Sequence, residues 1–251
     1  MPASSNRALV LTLLAATLGL FLIFSVAAGG WFAWLQTRGG TEQDGNQNYS
    51  NGLGTEGANG ASVETLRYWL DIYPPLVVFG DHQRIAGAAL KFPGGRQAKF
   101  HIVSRANGYL YIIAPNEQLQ ATAYLTSKTV PELELTSNEI GANTDFAFPG
   151  GNASITIDTK PSTATMTLIF SPTPLTSPSF LTKPAGRVLS SSELAELEAF
   201  RRANKDSAPQ ITVGNEGDDE SKPFAAVTVP TTTVQAGKPV IVNIALQNTG
   251  S

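Results

Sequence analysis

The chain contains no cysteine. That absence removes disulfides, thiolate metal sites, a cysteine nucleophile and the lipidated cysteine of a bacterial lipoprotein. Histidine is nearly as scarce, with two in 251 residues, so a Ser-His-Asp triad or an imidazole metal site has few possible members. Charge is thin too: 15% of residues are Asp, Glu, Lys or Arg, against about a quarter in an average globular protein. A formal net charge of -3 offers no basic surplus to neutralise phosphates, so nucleic acid is not an expected partner. Gly, Thr, Ser and Asn are plentiful instead, which favours strands and exposed linkers over helical bundles.

Residues 8–36 carry no ionisable side chain and are mostly apolar, from Leu9 through Phe21-Leu22-Ile23-Phe24 to Trp31 and Trp34. As a helix, about 26 such residues extend roughly 39 Å, more than the ~30 Å hydrocarbon layer. Trp31 and Trp34 suit a headgroup layer, and Arg7 and Arg38 bracket the run. Residues 1–36 are thus expected to be an N-terminal tail and transmembrane anchor whose partner is the lipid bilayer. Ser25, Ala27 and Ala28 offer a competing signal-peptidase site, although the apolar run resumes at Trp31. Arg7 and the amino terminus bias the N-terminus to the cytoplasmic side of a bacterial inner membrane, placing the remainder of the chain in the periplasm or outside. Residues 37–65, rich in Gly, Asn, Ser and Thr, read as a flexible linker reaching roughly 25 to 30 Å.

From Leu66 onward, short apolar or alternating runs separated by turn residues predict an all-β fold, an immunoglobulin-like β-sandwich over 66–178. Expected strands are 66–72, 76–79, 98–104, 109–113, 120–125, 144–148, 153–158 and 165–170. Asn107-Gly108 predicts a tight hairpin between the third and fourth of these. Tyr109, Tyr111 and Ile113 alternate with Leu110 and Ile112, which predicts a central strand covered on both faces. Residues 179–226 read as a linker with one short accessory helix over 191–204. Ser190-Ser191-Ser192-Glu193 is a capping box, Leu194, Leu197 and Phe200 form a docking stripe, and Glu198 can pair with Arg202. Residues 204–223 read as an exposed loop. In 227–251, Val240, Val242, Ile244 and Leu246 alternate as a strand that either closes the sandwich or starts a second, truncated one.

Phe100-His101-Ile102-Val103-Ser104, Gly108-Tyr109-Leu110-Tyr111-Ile112, Asn138-Glu139-Ile140, Phe146-Ala147-Phe148-Pro149, Ile157-Asp158 and Leu168-Ile169-Phe170-Ser171 resemble motifs of the bacterial domain-of-unknown-function family 4384. The resemblance covers roughly residues 66–175. It implies a sensory or interaction module of the kind that often follows serine/threonine kinase or caspase-like domains, while this chain shows no kinase signature of its own.

Candidates for chemistry are few. His101 alternates with apolar neighbours in a strand, and His82 lies between Asp81 and Gln83 in a loop; both read as structural. Asp145 and Asp158 sit near strand ends, where turn capping outweighs a glycosidase-type pair. Residues 215–220 are acidic without calcium-loop spacing, and Pro93-Gly94-Gly95-Arg96 is too short for a phosphate loop and reads as a hairpin turn. Tyr68, Trp69, Tyr73, Tyr109 and Tyr111 form either core or a ligand groove. No catalytic, cofactor-binding or metal residue is assigned, and no cofactor is expected. The expected function is a non-enzymatic, membrane-anchored extracytoplasmic module that binds a protein, peptide or glycan. The alternative is a structural spacer or scaffold of an envelope assembly.

Overall fold

A computed structural model describes residues 61–74, 82–116, 118, 120–217 and 219–250. The expected anchor, most of the linker and the candidate strand 76–79 lie outside the described residues. Among the described residues, no helix is long and apolar enough to cross a membrane.

The strands in chain order are β1 (Ser62–Tyr73), β2 (Gln83–Ile85), β3 (Ala89–Phe92), β4 (Gln97–Ser104), β5 (Gly108–Pro115), β6 (Ala121–Leu125), β7 (Glu139–Ile140), β8 (Asp145–Phe148), β9 (Ile155–Thr156), β10 (Ser162–Ser171) and β11 (Arg187–Val188). Helix α1 (Ser191–Ala203) follows, then β12 (Gln210–Glu216), β13 (Asp219–Pro230), the short helix α2 (Thr231–Gln235) and β14 (Val240–Asn248). The first sheet runs β12-β13-β1-β4-β8, with β2 also on β1 and β9 on β4. The second runs β11-β6-β5-β10-β14-β3, with β7 also on β5. The described chain is therefore all-β in class, two sheets around a shared apolar core.

That core follows from period-2 alternation. Leu66, Tyr68, Leu70 and Ile72 of β1 meet Phe100 and Ile102 of β4, and the second sheet answers with Leu110, Ile112, Leu168, Val242 and Ile244. Tyr68 is fully buried, and its hydroxyl donates to the Gly87 carbonyl at 2.9 Å. Burial holds that phenol well above its ordinary range.

Two expected hairpins are instead crossings between the sheets. β4 lies in the first sheet and β5 in the second, so Asn107-Gly108 does not close a ladder. Neither residue adopts the positive φ that a two-residue hairpin turn requires there. Gly108 answers a different demand: a Cβ would lie 2.5 Å from the Phe170 ring and 2.6 Å from the Ser171 carbonyl oxygen. Asn107 Oδ1 accepts from the Ala142 amide at 2.8 Å. The Pro93-Gly94-Gly95-Arg96 turn likewise carries the chain from β3 in the second sheet to β4 in the first, with Gly95 at φ +68°.

The 204–223 segment, expected as an exposed loop, is strand for much of its length. β12 pairs β13 from Gln210↔Thr228 to Glu216↔Asp219, and β13 pairs β1. The alternation of Ala225, Val227 and Val229, all buried, carries the signal for this hairpin, but its polar tip masks it. At the C-terminal end, β14 pairs antiparallel with β10 from Phe170↔Val240 to Ser162↔Asn248 and parallel with β3, so it belongs to the second sheet.

A second apolar cluster lies on the outer face of the second sheet. Tyr111, Ile113, Ala123 and Ile169 pack there against Phe180, Leu181, Leu189 and Leu197. Strand β5 is thus central and covered on both faces. Helix α1 starts at the expected capping box, with Ser190 Oγ accepting from the Glu193 amide and Glu193 Oε2 accepting from the Ser190 amide. The docking stripe is narrower than expected: Leu197 is buried and Phe200 partly so, while Leu194 is exposed. Glu198 pairs with Arg201 rather than Arg202, because Arg201 turns inward to donate to Thr167 Oγ1 at 2.6 Å.

Candidate functional site

Among the described residues, the outer face of the first sheet carries no such apolar cover, and its side chains are of a different kind. The alternation that sends Leu70 and Ile72 inward sends Trp69, Asp71 and Tyr73 outward. Register then assembles a cluster around Asp71. Trp69 lies opposite His101 of β4, and Asp71 lies between Arg84 of β2 and Lys99 of β4. Asp145 enters from β8, two positions from the register partner of His101.

The geometry is dense. The Trp69 and His101 rings stack with centroids 5.1 Å apart and planes 3° from parallel. The Arg84 guanidinium carbon lies 4.1 Å from the Trp69 ring centroid, a cation–π contact. His101 Nδ1 lies 2.9 Å and 3.1 Å from the two Asp145 carboxylate oxygens. On its other side, His101 Nε2 faces Asp71 Oδ2 at 3.3 Å. His82 Nε2 approaches the same oxygen at 3.5 Å, and Arg84 Nε faces Asp71 Oδ1 at 3.6 Å. The His82 ring is tilted against Tyr73 with centroids 5.3 Å apart. An imidazolium donates from both nitrogens, so the charged form of His101 would bridge the two carboxylates.

Four buried atoms in this cluster, Trp69 Nε1, Asp71 Oδ1, Arg84 Nε and His101 Nε2, have no hydrogen-bond partner among the described protein atoms. Three of them nonetheless face charged partners, Asp71 Oδ1 and Arg84 Nε at 3.6 Å and His101 Nε2 with Asp71 Oδ2 at 3.3 Å. Their concentration in one place contrasts with a buried polar group such as Asn248. That side chain donates to the carbonyls of Asp158 and Lys160 at 2.7 Å and accepts from the Gly250 amide at 2.9 Å.

Around the cluster the electrostatics follow from burial and neighbouring charge. Burial lowers the Lys99 ammonium from its ordinary range, with Glu134 and Asp145 opposing the shift, and its Nζ donates to the Gly151 carbonyl. Burial also raises the Tyr73 phenol, and the carboxylates of Asp71 and Asp145 add to that rise. Farther along the same face, burial alone would raise the Glu64 carboxyl. The Arg67 and Arg105 guanidiniums outweigh it and hold that carboxyl below its usual range. Arg67 in turn lies 4.1 Å from the Phe224 ring centroid.

Beside the cluster, at the end of the sandwich, a cavity of about 240 Å³ is lined by Ile72, Tyr73, Pro74, His82, Gln83, Pro93 and Arg96. His82 and Tyr73 belong to both, so the cluster and the cavity form one continuous feature. Another cavity of about 200 Å³ lies near the start of β1, between Val63, Phe170 and Val234, with the Glu64–Arg105 ion pair on its rim.

The structure sorts the sequence candidates accordingly. His82 and His101 converge on Asp71, which is not among those candidates. The only sequence signal for Asp71 is a lone carboxylate in an otherwise apolar run. Asp145 joins them, whereas Asp158 caps a turn, accepting from the Lys160 amide at 3.2 Å. The five aromatic candidates divide three ways: Tyr68 is core, Tyr109 and Tyr111 face the α1 side, and Trp69 and Tyr73 belong to the cluster. In the acidic run, Glu216 pairs with Arg84 at 3.3 Å, and Asp219 accepts from the Ser221 amide. The hydrogen bonds from Ser221 lead in holding the Asp219 carboxyl below its usual range. Among the described residues, no group of three or more His, Asp or Glu is arranged to hold a metal ion.

Models of known protein families, curated proteins and solved structures give no match to this chain.

Proposed function

We propose that the chain is a membrane-anchored, non-enzymatic, immunoglobulin-like sandwich that binds an envelope ligand outside the cytoplasm at the cavity beside the Trp69–Asp71–His101 cluster. The observation that carries this reading is the asymmetry of the two outer faces. One is sealed by apolar packing under α1, while the other carries stacked aromatics and charged side chains beside a cavity. Charged and aromatic side chains lining a cavity are what a ligand meets with hydrogen bonds and stacking. His101 sits between two carboxylates rather than against a hydroxyl nucleophile, which fits recognition better than covalent chemistry. The apolar run of residues 8–36 supports the anchor, and the resemblance to family 4384 supports an interaction role.

Photo-crosslinking on the full-length protein in intact spheroplasts tests this. A benzophenone side chain at Gln83, on the open face, should yield discrete adducts, whereas one at Glu198, on α1, should not. External protease should digest a C-terminal tag while the mass shows residues 1–36 retained. Equal or absent adducts at the two positions would count against a binding face, and protection of the tag until lysis would count against the location.

A further inference from the structure

The geometry points to a carboxylate-bearing sugar, a uronic acid residue of an envelope glycan, as the ligand of the cavity between Tyr73, His82 and Arg96. This rests on the binding reading above and names the ligand class for the same face.

The key group is Arg96. Its backbone is fixed, with its carbonyl accepting from the Ile157 amide at 2.8 Å. Arg96 as a residue is half-buried and lines the cavity, and its guanidinium makes no hydrogen bond or ion pair among the described residues. Most arginines of this domain that face a cavity or packed surface are engaged. Arg84 holds Asp71 and Glu216, Arg105 holds Glu64, Arg187 holds Glu193, and Arg201 holds Glu198. Among the described lining residues none is a carboxylate, so a cation in this concave wall offers an anion a partner. His82, in the same wall, turns its Nε2 to one Asp71 carboxylate oxygen, and the other faces Arg84.

The remaining lining selects the body that carries the carboxylate. Tyr73, Pro74, Ile72 and Pro93 provide flat apolar surface, and Gln83 provides an exposed amide able both to donate and to accept. A pyranose ring has this same mixture of apolar face and hydroxyl edge. A volume of about 240 Å³ accommodates one such residue rather than an extended polymer face. A peptide C-terminal carboxylate is the less fitting occupant, because it is usually captured by a nest of free backbone amides. The two amides at this turn are already spent: Gly94 donates to Gly250 and Gly95 to Ile157, both at 3.0 Å.

Titration of the full-length protein in lipid nanodiscs, followed by calorimetry, decides the matter. The probes are D-glucuronate, D-glucose, inorganic phosphate, and acetyl-Ala-Ala with a free or amidated terminus. Glucuronate should bind at least tenfold more tightly than glucose, phosphate or either peptide. Arg96→Gln should lose at least tenfold of that affinity, and Arg96→Lys should keep part of it, with the melting temperature of both variants unchanged. Equal binding of glucose, or a preference for the free-terminus peptide over its amide and over glucuronate, overturns the assignment. So does glucuronate binding that Arg96→Gln leaves intact. If no probe binds while Gln83 adducts persist in spheroplasts, the ligand class is wrong and the binding face stands; loss of both removes the face itself.

Discussion

The two outer faces of the sandwich arise from the same alternation and end in opposite chemistry. In β5, Leu110 and Ile112 turn to the core, and Tyr111 and Ile113 turn outward to a second apolar layer. In β1, Leu70 and Ile72 turn to the core, and Trp69, Asp71 and Tyr73 turn outward to charge and aromatic edges. The chain uses residues 175–200 to seal the first face, and the described residues give the second nothing of that kind. An apolar outer face demands an apolar cover, whereas on this face charged and aromatic side chains pack on one another, burying Trp69, Asp71 and Tyr73 and leaving His82, Gln83 and Glu216 exposed at the rim. Stability should therefore concentrate on the sealed face and function on the open one.

The sharpest way to break that contrast is to hollow the seal. Phe180 is fully buried between the second sheet and α1. Phe180→Ala should cost about 3–5 kcal/mol, the usual range for deleting a buried aromatic ring. Urea denaturation monitored by tryptophan fluorescence reads it as a lower midpoint. Little change would mean that the cover is ornamental and that both faces are open in solution.

Next comes the polar clasp of the same cover. Glu193 is buried and accepts from Arg187, from Lys183 Nζ at 2.7 Å and from Ser190. The Arg187 hydrogen bond leads in holding its carboxyl far below the usual range. Burial opposes that shift, and Lys183 and Ser190 reinforce it. Because the folded value is depressed, this stabilisation is complete above the unfolded value of about 4.3 and is lost as pH falls below it. Glu193→Gln should cost about 2 kcal/mol at neutral pH, in the range of hydrogen bonds to a charged group. It should also flatten the loss of stability between about pH 5 and about pH 2. A variant that lost stability with acid as steeply as the parent would assign the acid sensitivity to another carboxylate.

These two residues also show where the sequence is readable. Glu193 is legible, since Ser190 and Glu193 stand three apart at the start of an apolar-periodic run, and a local rule fixes their contact. The paired faces of β5 are legible for the same reason, because alternation needs no partner to be known. The open-face cluster is not. Asp71, His82, Arg84, His101 and Asp145 meet only through the registers of β1 with β2 and β4, and of β4 with β8, which alternation leaves free to slide. The expected hairpin at Asn107-Gly108 fails on similar grounds. A turn-forming dipeptide reverses the chain but does not say whether the next strand pairs or crosses, and here it crosses, with Gly108 packed too closely under the Phe170 ring to carry a side chain.

On the open face the expected effects shrink. Asp71→Asn keeps the shape but removes the charge that His82, His101 and Arg84 share. It should cost about 1 kcal/mol overall, since the lost attraction is offset by relief of a buried carboxylate. The loss should be local. Amide exchange in β2 should accelerate about fivefold while β5 and β10 are unaffected, as measured by hydrogen exchange. Acceleration spread evenly over both sheets would show that the cluster supports the whole fold and would weaken its claim to be a reserved surface.

The smallest effect belongs to Glu216, at the rim of the same face. Its carboxylate lies 3.3 Å from Arg84 Nη1, but its side chain is 58% exposed, so water and salt screen the pair. Arg84 also has Asp71 and the Trp69 ring to hold it, and these persist when Glu216 is neutralised. Glu216→Gln should therefore shift stability by less than about 0.5 kcal/mol, and that shift should vanish in about 1 M salt. The informative comparison is with the Asp71→Asn variant at the same two salt concentrations. The buried partner of Arg84 should keep its effect in high salt and the exposed partner should lose it, because screening reaches only charges that water reaches. If both effects vanished together, Asp71 would be solvated in solution rather than enclosed by the cluster.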